Sequence, residues 1–178
     1  MRPQPTKEQV DLIKPIKLLV MDVDGILTEG NLSFLADGSE IKSFNILDGL
    51  GIKLLMESGV KTAIITGRQS NQVIQRAESL GIDYIQQGRE DKLTALQELW
   101  SNTGFNSSNT AYIGDDLPDL SAIKAVRFGV TVPNGHWLVK ESADHVTTQS
   151  GGRGAARELC ELIMACQETL DEALERFQ

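Results

Sequence analysis

The 178-residue sequence has few residues of the kinds that build disulfide frameworks or zinc sites, with only two cysteines and two histidines. Cys160 and Cys166 fall on one predicted helix, where six residues of rise separate them by roughly 9 Å, too far for a disulfide. We interpret them as small core or interface residues, with a reactive thiol as the alternative. His136 and His145 lie away from the other candidate ligands, so we do not expect zinc.

Positive charge and long apolar runs are also scarce. Lysine and arginine number 17 against 25 acidic residues, a net charge of −8, which argues against nucleic acid or an anionic membrane as the main partner. Residues 1–17 lack an apolar core and no later run is long enough to span a bilayer, so we expect a cytoplasmic protein. The 40% hydrophobic content fits a single domain over residues 1–178.

The stretch MDVDGILT organises the chain. The apolar run 16–21 predicts a buried strand, and Asp22 and Asp24 directly follow it. Side chains at positions i and i+2 of an extended segment point the same way, so the two carboxylates should converge above the end of the strand. Because like charges repel, the pair suggests a bound cation or proton chemistry. The alternative is an Asx-turn with two solvated carboxylates.

Strands and helices alternate along the rest of the chain. Turn residues between two short runs predict a β-hairpin over about 30–44, and residues 102–109 read as a linker loop. Further strands are predicted at 62–65, 84–85, 111–113, 128–132 and 145–147, and a C-terminal helix should present an apolar stripe from 159 to 174. This alternation predicts an α/β fold, a Rossmann-like three-layer αβα arrangement with a central parallel sheet.

Polar residues fall where the predicted strands end. Asp22 with Asp24, Thr66, and Asp115 each follow an apolar strand, and ligands of open α/β sheets bind in the crevice at the carboxyl ends of the strands. Taken singly, Thr66 could be a helix cap, Lys92 a solvated charge and Asp115 a turn former. Their joint occurrence at strand ends points to one site.

This set of side chains suits phosphoryl transfer. Carboxylates without histidine or cysteine select a hard cation such as Mg²⁺. A free carboxylate could then attack phosphorus and form an aspartyl-phosphate, while a second one protonates the departing oxygen and later activates water. Lys92 and the groups around Thr66 would stabilise charge on the transferring oxygens.

The chain resembles the haloacid dehalogenase superfamily, whose four motifs appear in order as DVDGILT, ITGR, Lys92 and GDDLPD. The resemblance implies that Asp22 is the nucleophile, and that Asp24 is the general acid and base, with its backbone carbonyl on Mg²⁺. It implies further that Asp115 is a metal ligand, that Thr66 and Lys92 contact the phosphoryl group, and that Asp116 or Asp119 orients Lys92 or a metal-bound water.

The spacing of these motifs leaves room for the hairpin, one helix and one strand between Asp24 and Thr66, and so for no cap domain. Over nearly its full length the chain is similar to the 3-deoxy-D-manno-octulosonate 8-phosphate phosphatase family, through KSFNILDGLGIK, IITGR, YIGDDLPDL and GGRGAARE. This resemblance implies a phosphorylated sugar acid as substrate, a role in lipopolysaccharide precursor synthesis, and a homotetramer whose hairpins form a central barrel. The implied substrate-binding residues are Asp24, Asn45, Asp48, Gly49, Lys53, Gly67, Arg68, Arg76 and Arg153, where Arg153 could act in its own subunit or in a neighbouring one.

One position departs from the family. Leu47 stands where relatives often have arginine, and we expect Lys53 or an arginine of the next subunit to compensate. The alternative substrate is a nonulosonic acid 9-phosphate. Two alternative functions belong to other classes of protein. One is a phosphorylation-dependent receiver, but a receiver has its lysine after all the acids and has no hairpin, whereas Lys92 precedes Asp115 here. The other is a non-catalytic oligomeric scaffold. For segment 151–154 and the helix after it, the alternative is an ordinary loop and a core helix.

Overall fold

The computed structural model describes residues 2–177, which form eight strands and eight α-helices. The strands are β1 (Leu18–Met21), β2 (Ser33–Phe34), β3 (Glu40–Ile41), β4 (Lys61–Ile65), β5 (Tyr84–Gln86), β6 (Thr110–Ile113), β7 (Phe128–Thr131) and β8 (His145–Val146). The helices are α1 (Lys7–Ile13), α2 (Ile46–Glu57), α3 (Asn71–Leu80), α4 (Lys92–Thr103), α5 (Leu120–Ala125), α6 (Trp137–Ser142), α7 (Ala155–Cys166) and α8 (Leu170–Glu175).

Six strands form one parallel sheet in the order β5-β4-β1-β6-β7-β8. Strand β1 lies in the middle, because the chain adds β4 and β5 on one side of it and then β6, β7 and β8 on the other. A crevice forms at the carboxyl ends of the strands where the winding direction changes in this way. The strand order that makes the predicted parallel sheet therefore also produces a crevice at the carboxyl end of β1.

Both faces of the sheet are covered by helices. Leu19 and Met21 of β1 pack into a core with helices α1, α2, α3 and α7, whereas Leu18 and Val20 pack into a second core with α4, α5 and α6. Successive residues of a strand point to opposite faces, so a strand buried on both faces reads as an unbroken apolar run. The three-layer αβα prediction is confirmed.

The hairpin of β2 and β3 stands apart from the sheet. Its two strands pair over two residues each, in antiparallel register. Four large apolar residues on or beside it are about half exposed: Leu32, Phe34, Leu35 and Ile41. The hairpin prediction is confirmed, and its apolar surface is not covered within residues 2–177.

Three sequence predictions about the elements are wrong. The C-terminal stripe belongs to two helices, because Glu168 adopts a left-handed φ of 63° that ends α7 and redirects the chain so that Leu170 is buried again. The linker at 102–109 is shorter, since α4 continues to Thr103 and Ser107–Asn109 forms a 3-10 turn. The apolar run 16–21 becomes a strand only from Leu18.

Helix α1 was not anticipated, although Thr6 and Gln9 carry the sequence signal of a capping box. Among residues 2–177 no helix is both long and apolar enough to cross a bilayer. The cytoplasmic location stays a prediction.

Candidate active site

Three neighbouring strands, β4, β1 and β6, bring the predicted site residues to one edge of the sheet. The backbone N–H of Asp22 donates to Ile113 O at 3.0 Å, which ties the end of β1 to the end of β6, just before Asp115. On the other side of β1, Thr66 follows β4 and is buried. The side chains of Asp22, Thr66 and Asp115 therefore start from the same edge of the sheet, as the sequence predicts.

Lys92 begins α4 and lies buried between two carboxylates. Its Nζ is 2.9 Å from Asp22 Oδ2 and donates to Asp119 Oδ1 at 2.6 Å. Burial by itself lowers the pKa of Lys92, but the negative charges of Asp22 and Asp119 raise it more, so its net shift is upward. The Lys92 ammonium is thus held beside Asp22 by the two carboxylates.

Asp119, rather than Asp116, holds Lys92. One oxygen of Asp119 also accepts from the Tyr112 hydroxyl at 2.7 Å, and the other accepts from the backbone N–H groups of Asp115 and Asp116 at 3.1 and 3.2 Å. Asp116 is exposed and caps the 3-10 turn Leu117–Asp119. A buried carboxylate with four donors is a fixed anchor for its partners.

The cluster holds more negative charge than its buried position favours. Burial, then the charge of Asp119, raises the pKa of Asp22 to about 7, against the lowering effect of Lys92. The same two causes raise the pKa of Asp115 to about 7. A bound cation would relieve this repulsion and return both groups to carboxylates.

Magnesium fits the residues present. Carboxylate oxygens of Asp22, Asp115 and Asp119 lie within 4.8 Å of one another. Asp115 Oδ1 is buried and has no hydrogen-bond partner among the described residues. A Cβ on Gly25 would lie 2.1 Å from Asp115 Oδ2, so the loop after β1 packs directly against this ligand candidate. An all-oxygen set suits Mg²⁺.

The Asp24 carboxylate lies outside this cluster. It forms an ion pair with Lys42, which also lies 3.6 Å from Glu40, and Arg68 donates to Glu40 at 3.0 Å. The sequence did not predict that Lys42 contacts Asp24. Glu40 begins β3 and Lys42 lies two residues later, directly after its end, so in an extended segment the two share a face, but nothing local indicates that Asp24 lies opposite them.

Four predicted pocket residues hold the start of α2 in place. Asn45 caps α2 and donates to Gly152 O at 3.1 Å, while Arg76 donates to Asn45 O at 3.2 Å. Asp48 is buried and accepts from the N–H of Arg157 at 2.8 Å, in the first turn of α7. A Cβ on Gly49 would lie 2.2 Å from Arg76 Nη2, so a larger residue there would displace the guanidinium from its present position.

The glycine-rich segment 151–154 packs on the loop that follows β1. Gly152 N–H donates to Ile26 O at 2.8 Å, and a Cβ on Gly151 would lie 1.6 Å from Gly25 O. Arg153 is exposed and pairs with Glu29 at 3.0 Å.

Two further predicted pocket residues lie on other elements. Gly67 directly follows Thr66, whereas Lys53 is exposed on α2, roughly 12 Å along the helix axis from Asn45. Within residues 2–177, Lys53 forms no hydrogen bond or ion pair with the acidic cluster.

Comparison with known proteins gives consistent results. Residues 84–159 match the haloacid dehalogenase-like hydrolase family. The chain is 42% identical over 158 residues to 3-deoxy-D-manno-octulosonate 8-phosphate phosphatase KdsC of Escherichia coli K12, covering 89% of this chain and 84% of that protein. A crystal structure of the phosphatase of that name from Moraxella catarrhalis, in complex with magnesium ion, phosphate ion and KDO, matches with a TM-score of 0.95 and 48% identity over 98% of this chain and 100% of that one. A probable YrbI family phosphatase from Pseudomonas syringae matches with a TM-score of 0.94 and 50% identity, covering 97% and 98% of the two chains.

Proposed function

Because this chain belongs to the 3-deoxy-D-manno-octulosonate 8-phosphate phosphatase family of the haloacid dehalogenase superfamily, we propose that it hydrolyses that sugar-acid phosphate. The products are the free sugar acid and inorganic phosphate, and the step serves lipopolysaccharide precursor synthesis. The observation that carries the proposal is the buried Asp22 beside Lys92 and Asp115, at the carboxyl end of the central strand. The predicted superfamily, fold class and magnesium cofactor are confirmed.

The first half of the reaction uses two aspartates with opposite tasks. A carboxylate oxygen of Asp22 attacks phosphorus, and the bond between phosphorus and the sugar oxygen breaks. Asp24 gives its proton to that departing oxygen, which leaves as an alcohol. In the second half Asp24 takes a proton from water, whose oxygen bonds to phosphorus as the bond to Asp22 breaks.

The remaining site residues stabilise charge. Lys92, fixed by Asp119, faces the oxygens of the transferring phosphoryl group, and the Thr66 hydroxyl and Gly67 N–H donate to the same group. Asp22 and Asp115 side chains, with the Asp24 carbonyl, would hold Mg²⁺. When bound, the ion neutralises phosphoryl charge and lets the acids stay ionised.

The sugar acid binds beside this centre. We assign Arg68 to its carboxylate, since a guanidinium binds such a group at two points. Asn45, Asp48, Gly49 and Arg76 shape the adjacent wall through the contacts described above. Lys53 and Arg153 are both exposed in their own chain, and we assign them to the sugar-acid pocket, with Arg153 as a candidate from a neighbouring subunit.

Assembly into a homotetramer is part of the proposal. The half-exposed apolar residues of the hairpin supply a surface that a second copy would cover. Without a cap domain, the single domain leaves its site open, and a neighbour would close it. Sedimentation equilibrium of the purified protein should give four subunits, and Phe34→Asp should give smaller species.

A phosphatase screen with phosphorylated sugar acids tests the function. The eight-carbon 8-phosphate should have the highest kcat/KM among the substrates and require Mg²⁺. Asp22→Asn should keep its fold and assembly but lose turnover by several orders of magnitude, because no atom remains to attack phosphorus. A higher kcat/KM for a nonulosonic acid 9-phosphate would correct the substrate and leave the mechanism standing, whereas near wild-type rates for Asp22→Asn would remove the mechanism.

A further inference from the structure

Lys42 follows β3 at the base of the hairpin, and its side chain is only 2% exposed. Its ammonium pairs with Asp24 Oδ1 and lies 3.6 Å from Glu40 Oε1. A buried ammonium is stable in a protein only when opposite charges surround it. The contact with Asp24 is therefore fixed by the fold, unlike an exposed lysine that exchanges partners with water.

Arg68 completes a ring of four alternating charges. Its Nη2 donates to Glu40 Oε1 at 3.0 Å, and its Nε lies 4.0 Å from Asp24 Oδ2. The two oxygens of Asp24 thus face two different cations, one from the hairpin and one from the loop after β4. A carboxylate held from both sides keeps a single orientation, whereas a free aspartate samples several rotamers and a broad second torsion.

We propose that Lys42 is a positioning residue, which holds the Asp24 carboxylate in the orientation that exchanges protons with the departing sugar oxygen and with water. The inference rests on the proposed function, in which Asp24 is the general acid and base. Lys42 acts through Asp24 and touches no reacting atom. Proton transfer depends on geometry at the scale of an ångström, so loosening this carboxylate slows both halves of the reaction.

The leaving group separates this role from a general structural one. A sugar alkoxide needs a proton to depart, whereas 4-nitrophenolate leaves without one. Lys42→Met should lower kcat for the sugar-acid phosphate by about 10- to 100-fold, with KM within about threefold of wild type. With 4-nitrophenyl phosphate, rapid mixing should show a near wild-type burst of 4-nitrophenolate and then a slowed steady rate, because only hydrolysis of the aspartyl-phosphate still needs Asp24.

Three further variants make the test specific. Lys42→Arg keeps the positive charge and should restore much of kcat. Lys61→Met is the control, because it removes a surface lysine that pairs with Asp83 at 2.7 Å. It should leave kcat for both substrates unchanged. In an Asp24→Asn background, Lys42→Met should change the remaining rate little, because the group it positions is gone.

Several outcomes would overturn the proposal. A raised KM with unchanged kcat would show that Lys42 binds substrate directly, and equal loss of burst and steady rate would show a structural role. The proposal would also be refuted if Lys42→Met lowered the rate of Asp24→Asn by the same factor by which it lowers the rate of the wild-type protein. If Lys42→Met does not fold, Lys42→Gln gives the same comparison. A wild-type protein inactive on every phosphoester would refute the proposed function itself, which separates the two failures.

Discussion

Replacing Asp119 with asparagine tests the anchor beneath the site. The carboxylate accepts four hydrogen bonds, from Lys92, from Tyr112 and from the N–H groups of Asp115 and Asp116. An asparagine of the same shape keeps one accepting oxygen, and its NH₂ group cannot accept. If its oxygen serves Lys92 and Tyr112, two backbone donors lose their partner, and each unpaired buried group costs about 1–3 kcal/mol.

Charge adds to this cost, because Lys92 keeps only Asp22 as a partner in a buried position. Breaking a buried charge pair on one side typically costs about 3–5 kcal/mol. We therefore expect the unfolding free energy of Asp119→Asn, measured by urea denaturation at fixed protein concentration without Mg²⁺, to fall by about 3–5 kcal/mol. The kcat should fall as well, since Lys92 can turn fully onto Asp22.

The neighbouring acid gives a matched control. Asp116 is exposed and caps a 3-10 turn, and asparagine caps nearly as well as aspartate, so Asp116→Asn should change stability by less than about 0.5 kcal/mol. Equal and small losses for the two variants would refute the assignment of Asp119 as the anchor of Lys92.

The other predictions concern pH, close packing and thiol reactivity. Because the pKa values of Asp22 and Asp115 are raised to about 7, the folded protein holds protons that the unfolded chain releases near pH 4. Stability without metal should thus fall as pH rises from about 4 to about 7, and Mg²⁺ should reverse the fall; a flat metal-free profile in thermal unfolding would contradict this. Gly151→Ala should lower kcat, since its Cβ would push the loop after β1, whereas Gly104→Ala, where a Cβ meets nothing within 4 Å, should leave kcat unchanged and only Tm lowered. Burial raises the pKa of the Cys160 thiol, so mass spectrometry should find iodoacetamide labelling of it only after unfolding, and rapid labelling of the native protein would show that the helix opens.

The strand-end acids and the central sheet could be predicted from local sequence. An apolar run followed by a carboxylate specifies both a buried strand and what stands at its end, and parallel strands align their ends whatever the details of packing. The structure accordingly has Asp22, Thr66 and Asp115 at the carboxyl ends of β1, β4 and β6. The roles predicted for them and for Lys92 depend on motif order.

Only the tertiary structure decided which side chains pair. Asp119 and Lys92 are 27 residues apart, and Asp24 and Lys42 are 18 apart, so their contacts depend on how loops and helices pack rather than on any local period. The same holds for Asp48, whose partner in α7 is 109 residues away. The sequence determined which side chains stand at one edge of the sheet, because hydrophobic periodicity and the positions where strands end are local properties of the chain. The fold decided that Asp119 pairs with Lys92 and that Asp24 pairs with Lys42, because those contacts depend on distances that arise only when remote segments pack.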